Sequence, residues 1–204
     1  MGTKQRRERE KQEVREGILA GAREIALQEG WQAVTIRKVA ERIEYSPPTI
    51  YEYFENKEAI LLELLRQGFE RLRDGMQAAQ AMTDDPEQHV LNVMRAYWDF
   101  AFRCPELYQV MNSLGGVTFN RVEAPMEARA AFQALLDALE NWILRSRAQV
   151  ADVGECADIL WGVAHGLIAL TMTGRISEGQ AYSKALMEQA IRGLLQSWLH
   201  QDKE

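Results

Sequence analysis

Cysteine is scarce in this sequence of 204 residues, which contains Cys104 and Cys156 and no others. The two lie far apart, and neither belongs to a CxxC or Cys/His pattern. Disulfide frameworks and zinc sites need several such residues at short, regular spacings. The sequence therefore predicts neither, and unpaired cysteines are typical of the reducing cytoplasm.

Long apolar runs are also lacking. No run approaches the roughly 20 residues of a membrane span, and the opening stretch MGTKQRRERE lacks the apolar segment of a secretory signal. Arg6 stands where a myristoylation signal has Ser or Thr. We expect a soluble, cytoplasmic protein with no membrane partner.

Catalytic and metal-binding patterns are missing too. His89, His165 and His200 have no second metal ligand at helical spacing. No glycine-rich phosphate loop follows a strand, because no strand pattern is evident. The sequence predicts no metal site, no cofactor and no enzymatic activity.

The acidic excess is confined to the second part of the chain. The formal net charge is -6; residues 1–60 hold 11 Lys and Arg against 11 Asp and Glu, whereas residues 61–204 hold 13 against 19. Because acidic surfaces repel phosphate, only the first part is suited to face a nucleic acid.

Apolar residues recur at helical spacing along almost the whole chain, and no long stretch alternates with a period of two, so we expect an all-α fold. The first helix ends at Gly30, a residue suited to the left-handed turn after a helix. The charged first dozen residues are expected to form a mobile arm. The inner stripe of the first helix is Val14, Ile18, Ala22, Ile25 and Ala26.

Capping residues mark the next three helices. Thr35 is expected to cap a short second helix, and Asn56 a long fourth helix that runs to about Ala81. The third helix is expected to start near Pro48, with Pro47 outside it. The inner faces are Ile36, Val39, Ala40 and Ile43 for the second helix, and Leu61, Leu64, Leu65, Gly68 and Leu72 for the fourth.

The segment TDDP, residues 83–86, separates the fourth helix from the rest, with Asp85 as a cap and Pro86 as a first helical residue. Further helices are predicted at about 86–103, 105–114, 125–149, 152–174 and 179–201, with a loop, GGVTFNRVEAP, at 115–125. We predict two domains, 1–60 and 61–204, linked by the helix 57–81.

The second and third helices predict a helix-turn-helix. On a helical projection Ile50 and Phe54 fall on the side that faces the second helix, while Tyr51 and Tyr53 flank the outer face. The third helix would then project as a ridge that is free to enter a major groove of DNA. The alternative is an ordinary corner in an all-helical protein.

Side chains on and beside this ridge suit DNA. Arg37 has the planar fork that reads guanine, and Glu52 can accept a hydrogen bond from cytosine. Pro47, Pro48 and Thr49 offer apolar surface to thymine methyl groups. Six residues can donate hydrogen bonds to phosphate oxygens: Thr35, Ser46, Thr49, Tyr51, Tyr53 and Lys57.

The stretch TIRKVAERIEYSPPTIYEYFENKEAI, residues 35–60, resembles the DNA-binding segment of the TetR family of bacterial repressors. The resemblance implies a homodimer that sets two recognition helices one helical turn of DNA apart on a palindromic double-stranded operator. It also implies that Lys57 holds a phosphate. The matching residues are Ala40, Ser46, Thr49, Tyr51, Tyr53, Phe54 and Lys57.

Three departures from the family pattern leave open which base pairs are read. Glu44 occupies a turn position where glycine is common, and it would be strained if its backbone needs a positive φ. The Pro47 and Pro48 pair removes two N–H groups that could hold an anion. Glu52 stands where aromatic residues or histidine are frequent.

Large flexible and aromatic side chains crowd NVMRAYWDFAFRCPELYQVM, residues 92–111. Such residues suit an adaptable apolar cavity, so we expect a small lipophilic effector to bind here. The alternative, for each residue singly, is plain core packing. The candidate ligand-binding residues in this stretch are Met94, Tyr97, Trp98, Tyr108 and Met111.

Gly162 and Gly166 lie one turn apart in the predicted helix 152–174, each at a cost of about 1 kcal/mol relative to alanine. Close approach of another helix would offset this cost. Together with Gly193, the pair predicts that helices 152–174 and 179–201 pack tightly. Their broad apolar faces predict a homodimer through both helices, which is also the usual interface of the TetR family.

Trp161-Gly162 and His165-Gly166 resemble a TetR C-terminal subtype named for its Trp, His and Gly residues. Trp161 and His165 are therefore further candidates for ligand contact; a histidine satisfied within the core is the alternative. The sequence as a whole predicts a TetR-like repressor that an effector releases from its operator. The competing hypothesis is an apolar-ligand carrier whose helix-turn-helix does not bind DNA.

Overall fold

The computed structural model describes residues 3–112 and 124–199, and within these ranges it contains helices and no strand. The all-α prediction is confirmed. A one-turn 3-10 helix, Trp31–Ala33, lies between the first two α-helices. The α-helices are α1 (Thr3–Glu29), α2 (Ile36–Arg42), α3 (Pro47–Tyr51), α4 (Lys57–Gln80), α5 (Pro86–Arg103), α6 (Pro105–Met111), α7 (Met126–Ser146), α8 (Val153–Met172) and α9 (Gln180–Leu199).

The predicted caps are confirmed. The Thr35 hydroxyl accepts from the Lys38 N–H at 3.2 Å, Oδ1 of Asn56 accepts from the Ala59 N–H at 2.8 Å, and Oδ1 of Asp85 accepts from the Glu87 N–H at 2.9 Å. Each oxygen satisfies an N–H that has no partner inside its helix. Local chemistry therefore sets the starts of α2, α4 and α5.

One expectation about a helix start was wrong. Pro47 is the first residue of α3 rather than a residue outside it, because the first turn of a helix leaves its N–H groups unpaired and loses little to proline. The first helix, α1, extends back to Thr3, and the mobility expected for the first dozen residues stays a prediction. Exposed pairs four residues apart support that helix: Arg6 contacts Glu10, and Gln12 contacts Glu16, both at 2.8 Å.

The chain divides into two compact units. The first holds the described residues within 1–68 and 104–123, and the second holds those within 69–103 and 124–204. The short helix α6 thus belongs with α1 to α3 and the start of α4. The functional division at residues 60 and 61 stays a prediction.

The first unit has a continuous apolar core that includes Ile18, Ile25, Val39, Ile50 and Leu64, each fully buried. Two glycines allow close approach. A Cβ added to Gly21 would lie 2.8 Å from Cγ2 of Ile43, and one added to Gly68 would lie 2.5 Å from Sδ of Met111. A side chain at either position would force Ile43 or Met111 to move.

The second unit is formed by the end of α4 with α5, α7, α8 and α9. Leu91, Leu139, Leu160, Ile168 and Ile191 are fully buried in it. Three ion pairs run along α5 and α9 in antiparallel register: Glu87 with Arg192 at 2.6 Å, Arg95 with Glu188 at 2.5 Å, and Asp99 with Lys184 at 2.6 Å.

Three predicted segments extend beyond the described residues. The loop at 115–125 lies largely outside them, as do the ends of the predicted helices 105–114 and 179–201. Among the described helices, Val153–Met172 is long and apolar enough to cross a membrane by length and composition alone. Core helices of soluble proteins have the same length and composition, so this property alone does not indicate a membrane span.

Candidate nucleic-acid interface and sensor interior

The recognition ridge consists of α3 and the residues up to Phe54. Its inner face packs on the core of the first unit. Ile50 is fully buried and Phe54 is 5% exposed, and both pack into the core of the first unit. The guanidinium carbon of Arg15 lies 5.1 Å from the centre of the Phe54 ring. Tyr51, which flanks the outer face, is 57% exposed. The ridge therefore has a fixed inner face and a free outer face.

None of the ten residues predicted to contact DNA is buried. Thr49, Tyr53 and Lys57 are half-buried, and the other seven are exposed: Thr35, Arg37, Ser46, Pro47, Pro48, Tyr51 and Glu52. The hydroxyls of Ser46 and Thr49 lie 3.0 Å apart, so the two hold each other at the start of α3. Their contacts with DNA stay predictions.

The cationic side chains next to the ridge differ in whether they form ion pairs. Lys38 contacts Glu29 at 2.6 Å, and Arg42 contacts Glu24 at 3.3 Å. The hydrogen bond from Lys38 and its positive charge hold the pKa of Glu29 below its ordinary value. Arg37 is exposed, and none of the described residues forms an ion pair with it. Its guanidinium is available to a ligand.

Glu44 has the backbone conformation that the sequence analysis flagged. Its φ is 60°, in the left-handed region, where a residue with a Cβ costs roughly 1–2 kcal/mol. Its backbone N–H donates to the carbonyl of Glu41 at 3.3 Å, and the next N–H, of Tyr45, donates to that of Ala40 at 2.9 Å. This strained residue makes the turn between α2 and α3.

Two residues near the interface escaped the sequence analysis. Tyr45 follows the strained turn and is 48% exposed; a tyrosine directly after the turn position was the available signal. Trp31 is buried, and its carbonyl oxygen accepts a hydrogen bond from Nζ of Lys57 at 3.1 Å. No pattern in the sequence pairs Trp31 with Lys57.

The seven residues proposed to bind an effector are divided between the two units. Tyr108 and Met111 are buried in the first unit, and Met94 and Trp98 in the second. The structure brings three of them together in the second unit: Tyr97, Trp161 and His165, here called the polar trio.

The polar trio is linked by hydrogen bonds and ring contacts. Nε1 of Trp161 donates to the Tyr97 hydroxyl at 3.0 Å, and that hydroxyl lies 3.4 Å from Nδ1 of His165. The ring centres of Trp161 and His165 are 6.2 Å apart, and Phe132 meets Trp161 edge-on at 6.5 Å. Burial lowers the pKa of His165. The trio therefore offers neutral hydrogen-bonding groups beside aromatic surface.

The glycines of the last two helices face outward, which corrects the sequence interpretation. A Cβ added to Gly162, Gly166 or Gly193 would meet no heavy atom within 4 Å. The contact between α8 and α9 uses other residues, since Leu160, Ile168, Met187 and Ile191 are the buried ones. Gly162 and Gly166 instead line a mainly apolar groove of about 660 Å³ between α8 and α9.

The His, Cys, Asp and Glu residues that the structure describes form no candidate metal site. No three of them are grouped so that they could hold a metal ion. His89 instead lies between Asn141, whose amide is 3.0 Å from Nδ1, and the carbonyl of Thr83. His89 thus links α5 and α7.

Two family models match the chain. Residues 18–64 match the model described as bacterial regulatory proteins, tetR family, and residues 90–194 match the tetracyclin repressor-like, C-terminal domain. The second match covers about half of the chain, and the first contains α2, α3 and the start of α4.

Named relatives and solved structures agree. FasR, an HTH-type transcriptional activator of Mycolicibacterium smegmatis, is 27% identical over 155 residues, which are 76% of this chain and 67% of FasR. KstR, an HTH-type transcriptional repressor of the same species, is 38% identical over 72 residues, 35% of this chain and 33% of KstR. A solved Rhodococcus sp. RHA1 protein of unknown function has a TM-score of 0.80 at 17% identity, over 92% of this chain and 96% of that one, which shows the fold.

An anchored, exposed recognition ridge and these relatives define a transcriptional regulator with a DNA-binding helix-turn-helix. The chain belongs to the TetR family. Its relatives are transcriptional regulators rather than enzymes. The Trp, His and Gly subtype stays a prediction, because the matching C-terminal model has the more general description.

Proposed function

We propose that this regulator is a cytoplasmic repressor that binds a palindromic operator as a homodimer and is released by a small lipophilic effector. The observation that carries the proposal is the recognition ridge, whose apolar face is buried through Ile50 and Phe54 while Tyr51 is 57% exposed. A helix fixed on one side and free on the other can enter a major groove without unfolding its domain.

Phosphate contacts position the ridge in this proposal. Thr49, Tyr51 and Tyr53 carry hydroxyls on the ridge and none of the three is buried, and Lys57 is the first residue of α4. Such donors set the register of a protein on DNA without reading sequence. Arg37, exposed and without an ion-pair partner among the described residues, is the candidate for reading guanine.

The homodimer rests on the outward glycines. Glycine inside a helix costs up to about 1 kcal/mol relative to alanine, and nothing within the protomer requires it at Gly162, Gly166 or Gly193. Ile159 and Leu170 of the same helix are 45% and 38% exposed. A second copy that packs closely on α8 and α9 would cover this apolar surface and use the space that the glycines leave.

The effector site is proposed around the polar trio. Met94 and Trp98 provide buried apolar and aromatic surface, and Tyr97 and His165 provide hydrogen-bonding groups. Since burial lowers the pKa of His165, its imidazole is neutral at pH 7 and suits an uncharged polar group. We therefore expect a mainly apolar effector with one such group. Its binding would favour a dimer whose ridges no longer span one turn of DNA.

Selection of DNA fragments from a random pool tests the proposal. We expect an inverted repeat whose half-sites lie about 10 base pairs apart, one helical turn. Tyr51→Ala should weaken binding to the selected DNA, whereas Leu144→Ala, which shortens an apolar side chain of α7 that is 79% exposed, should not. No enriched sequence, or equal effects of the two variants, would contradict the assignment.

A promoter fused to a reporter then separates repression from activation, since the relatives include one activator and one repressor.

A further inference from the structure

The two polar groups of Trp31, its indole N–H and its backbone carbonyl, form hydrogen bonds with different helices. It is buried in the 3-10 turn between α1 and α2, and its indole Nε1 donates to the backbone carbonyl of Glu106 on α6 at 3.1 Å. Its own carbonyl accepts from Nζ of Lys57 at 3.1 Å, and from the Val34 N–H at 3.3 Å, which closes the turn. One residue therefore connects α6 to the first residue of α4.

The α6 end of this connection is itself fixed. The Glu106 side chain is 2% exposed, and its Oε1 accepts from Nε and Nη2 of Arg23 at 2.8 and 2.6 Å. Glu106 and Ser183 are the buried polar residues among those described. A buried carboxylate is stable only with such a partner. Arg23 thus holds α6 against α1, and with it the carbonyl that receives the indole N–H.

We propose that Trp31 is a positioning residue for DNA binding: it holds the Lys57 ammonium where a phosphate will lie, and α6 holds Trp31 through Glu106. The inference rests on the proposed phosphate contact of Lys57. A lysine has a long, flexible stem and three donors. One donor on the Trp31 carbonyl fixes the ammonium and leaves two for phosphate, so less freedom is lost on binding.

The position of α6 is therefore linked to DNA affinity through hydrogen bonds inside the first unit. A shift of α6 that breaks the Trp31 to Glu106 bond would leave the 3-10 turn and its carbonyl less constrained. Lys57 would then bind phosphate from a broader set of positions, and the DNA affinity would fall without any change in the residues that touch DNA.

A double-mutant cycle tests this relation. Trp31→Phe keeps the aromatic ring and removes the N–H donor; it is measured alone and together with Lys57→Ala by fluorescence anisotropy on the selected operator at several salt concentrations. Because the proposed dimer carries two copies of Lys57, Lys57→Ala alone should lower the steepness of the salt dependence by about two. Trp31→Phe removes one hydrogen bond in each protomer, so it should weaken binding about tenfold to a hundredfold when Lys57 is present, and less than twofold when it is absent.

Two controls separate a specific effect of Trp31→Phe on DNA binding from a general effect on folding. Trp142→Phe, a change at a buried tryptophan of α7, should leave DNA binding unchanged, and thermal unfolding shows whether each variant folds. If Trp31→Phe is unfolded, Arg23→Lys replaces it, because it loosens α6 without altering Trp31. Equal losses with and without Lys57, or no loss, would overturn the positioning role. No effect of Lys57→Ala would instead overturn the phosphate contact in the proposed function.

Discussion

Trp161 of α8 donates its indole N–H to the hydroxyl of Tyr97 on α5 across 3.0 Å. The two helices are far apart in sequence, and this hydrogen bond joins them inside the second unit. His165, one turn after Trp161, approaches the same hydroxyl at 3.4 Å. Because burial lowers the pKa of His165, the folded protein favours its neutral imidazole.

This preference predicts a pH dependence of stability. The unfolded chain binds the His165 proton with an ordinary pKa of about 6.5, whereas the folded protein binds it more weakly. The contribution to stability is thus fully present above about pH 6.5 and is lost as the pH falls toward the lowered pKa. Urea unfolding at pH 7.5, 6.5 and 5.5 should show this decline, and His165→Gln should reduce it. The pKa values of Glu29 and Glu188 are also lowered. Their contributions to stability are lost only as the pH falls below about 4.5, the ordinary pKa of a carboxyl group, so they do not account for a decline between pH 7.5 and 5.5. An unchanged decline in the variant would contradict the assignment.

The left-handed backbone at Glu44 predicts a stabilising substitution. Glu44→Gly should raise the free energy of unfolding by about 0.5–1 kcal/mol, because glycine adopts the φ of 60° without a Cβ clash. Denaturant unfolding measures the change. Glu44→Ala is the matched control, since it removes the carboxylate and keeps the Cβ; a gain with alanine as large as with glycine would show that charge, not backbone strain, is responsible.

The ion pair between Arg23 and Glu106 predicts a large loss of stability. Glu106→Ala leaves a guanidinium that is only 26% exposed without its carboxylate, and the free energy of unfolding should fall by about 2–4 kcal/mol. Glu10→Ala breaks the pair with Arg6, whose side chain is 80% exposed, and should have little effect. Urea unfolding of both variants distinguishes the pairs, and similar small changes would mean that Glu106 is not a structural anchor.

The outward face of α8 predicts an assembly defect. Gly162→Leu adds a side chain that meets nothing within the protomer, so the chain should fold, but the homodimer should weaken about 30-fold or more, equivalent to about 2 kcal/mol. Gly75→Leu is the control, because Gly75 is also a helical glycine with open space around it. Light scattering across a range of concentrations reports the mass. A dimer unaffected by Gly162→Leu would place the interface elsewhere.

The helices and the ridge could be predicted because their causes are local. Periodic apolar residues and the caps at Thr35, Asn56 and Asp85 set the helices, and the angle between successive residues places Ile50 and Phe54 on the core side, with Tyr51 on the flank of the outer face. Even the strain at Glu44 followed from a missing glycine. Pro47 was misplaced by one residue because either proline can begin a helix.

Contacts between distant residues could not be predicted. Lys57 lies 26 residues from Trp31, and Arg23 lies 83 residues from Glu106, and no spacing rule connects such pairs. The glycines show a different limit. The sequence indicates that Gly162 and Gly166 need close approach of a helix, but it does not say which helix, and the structure excludes α9 of the same protomer.

Binding to DNA as a function of salt tests the central claim most directly. We predict that the wild-type protein binds the selected operator more tightly than a scrambled duplex of equal length. Its affinity should fall about a thousandfold between 50 and 200 mM salt, as expected for a dimer that contacts six or more phosphates. Equal, salt-insensitive affinity for both duplexes would contradict the account and favour a carrier of apolar ligands.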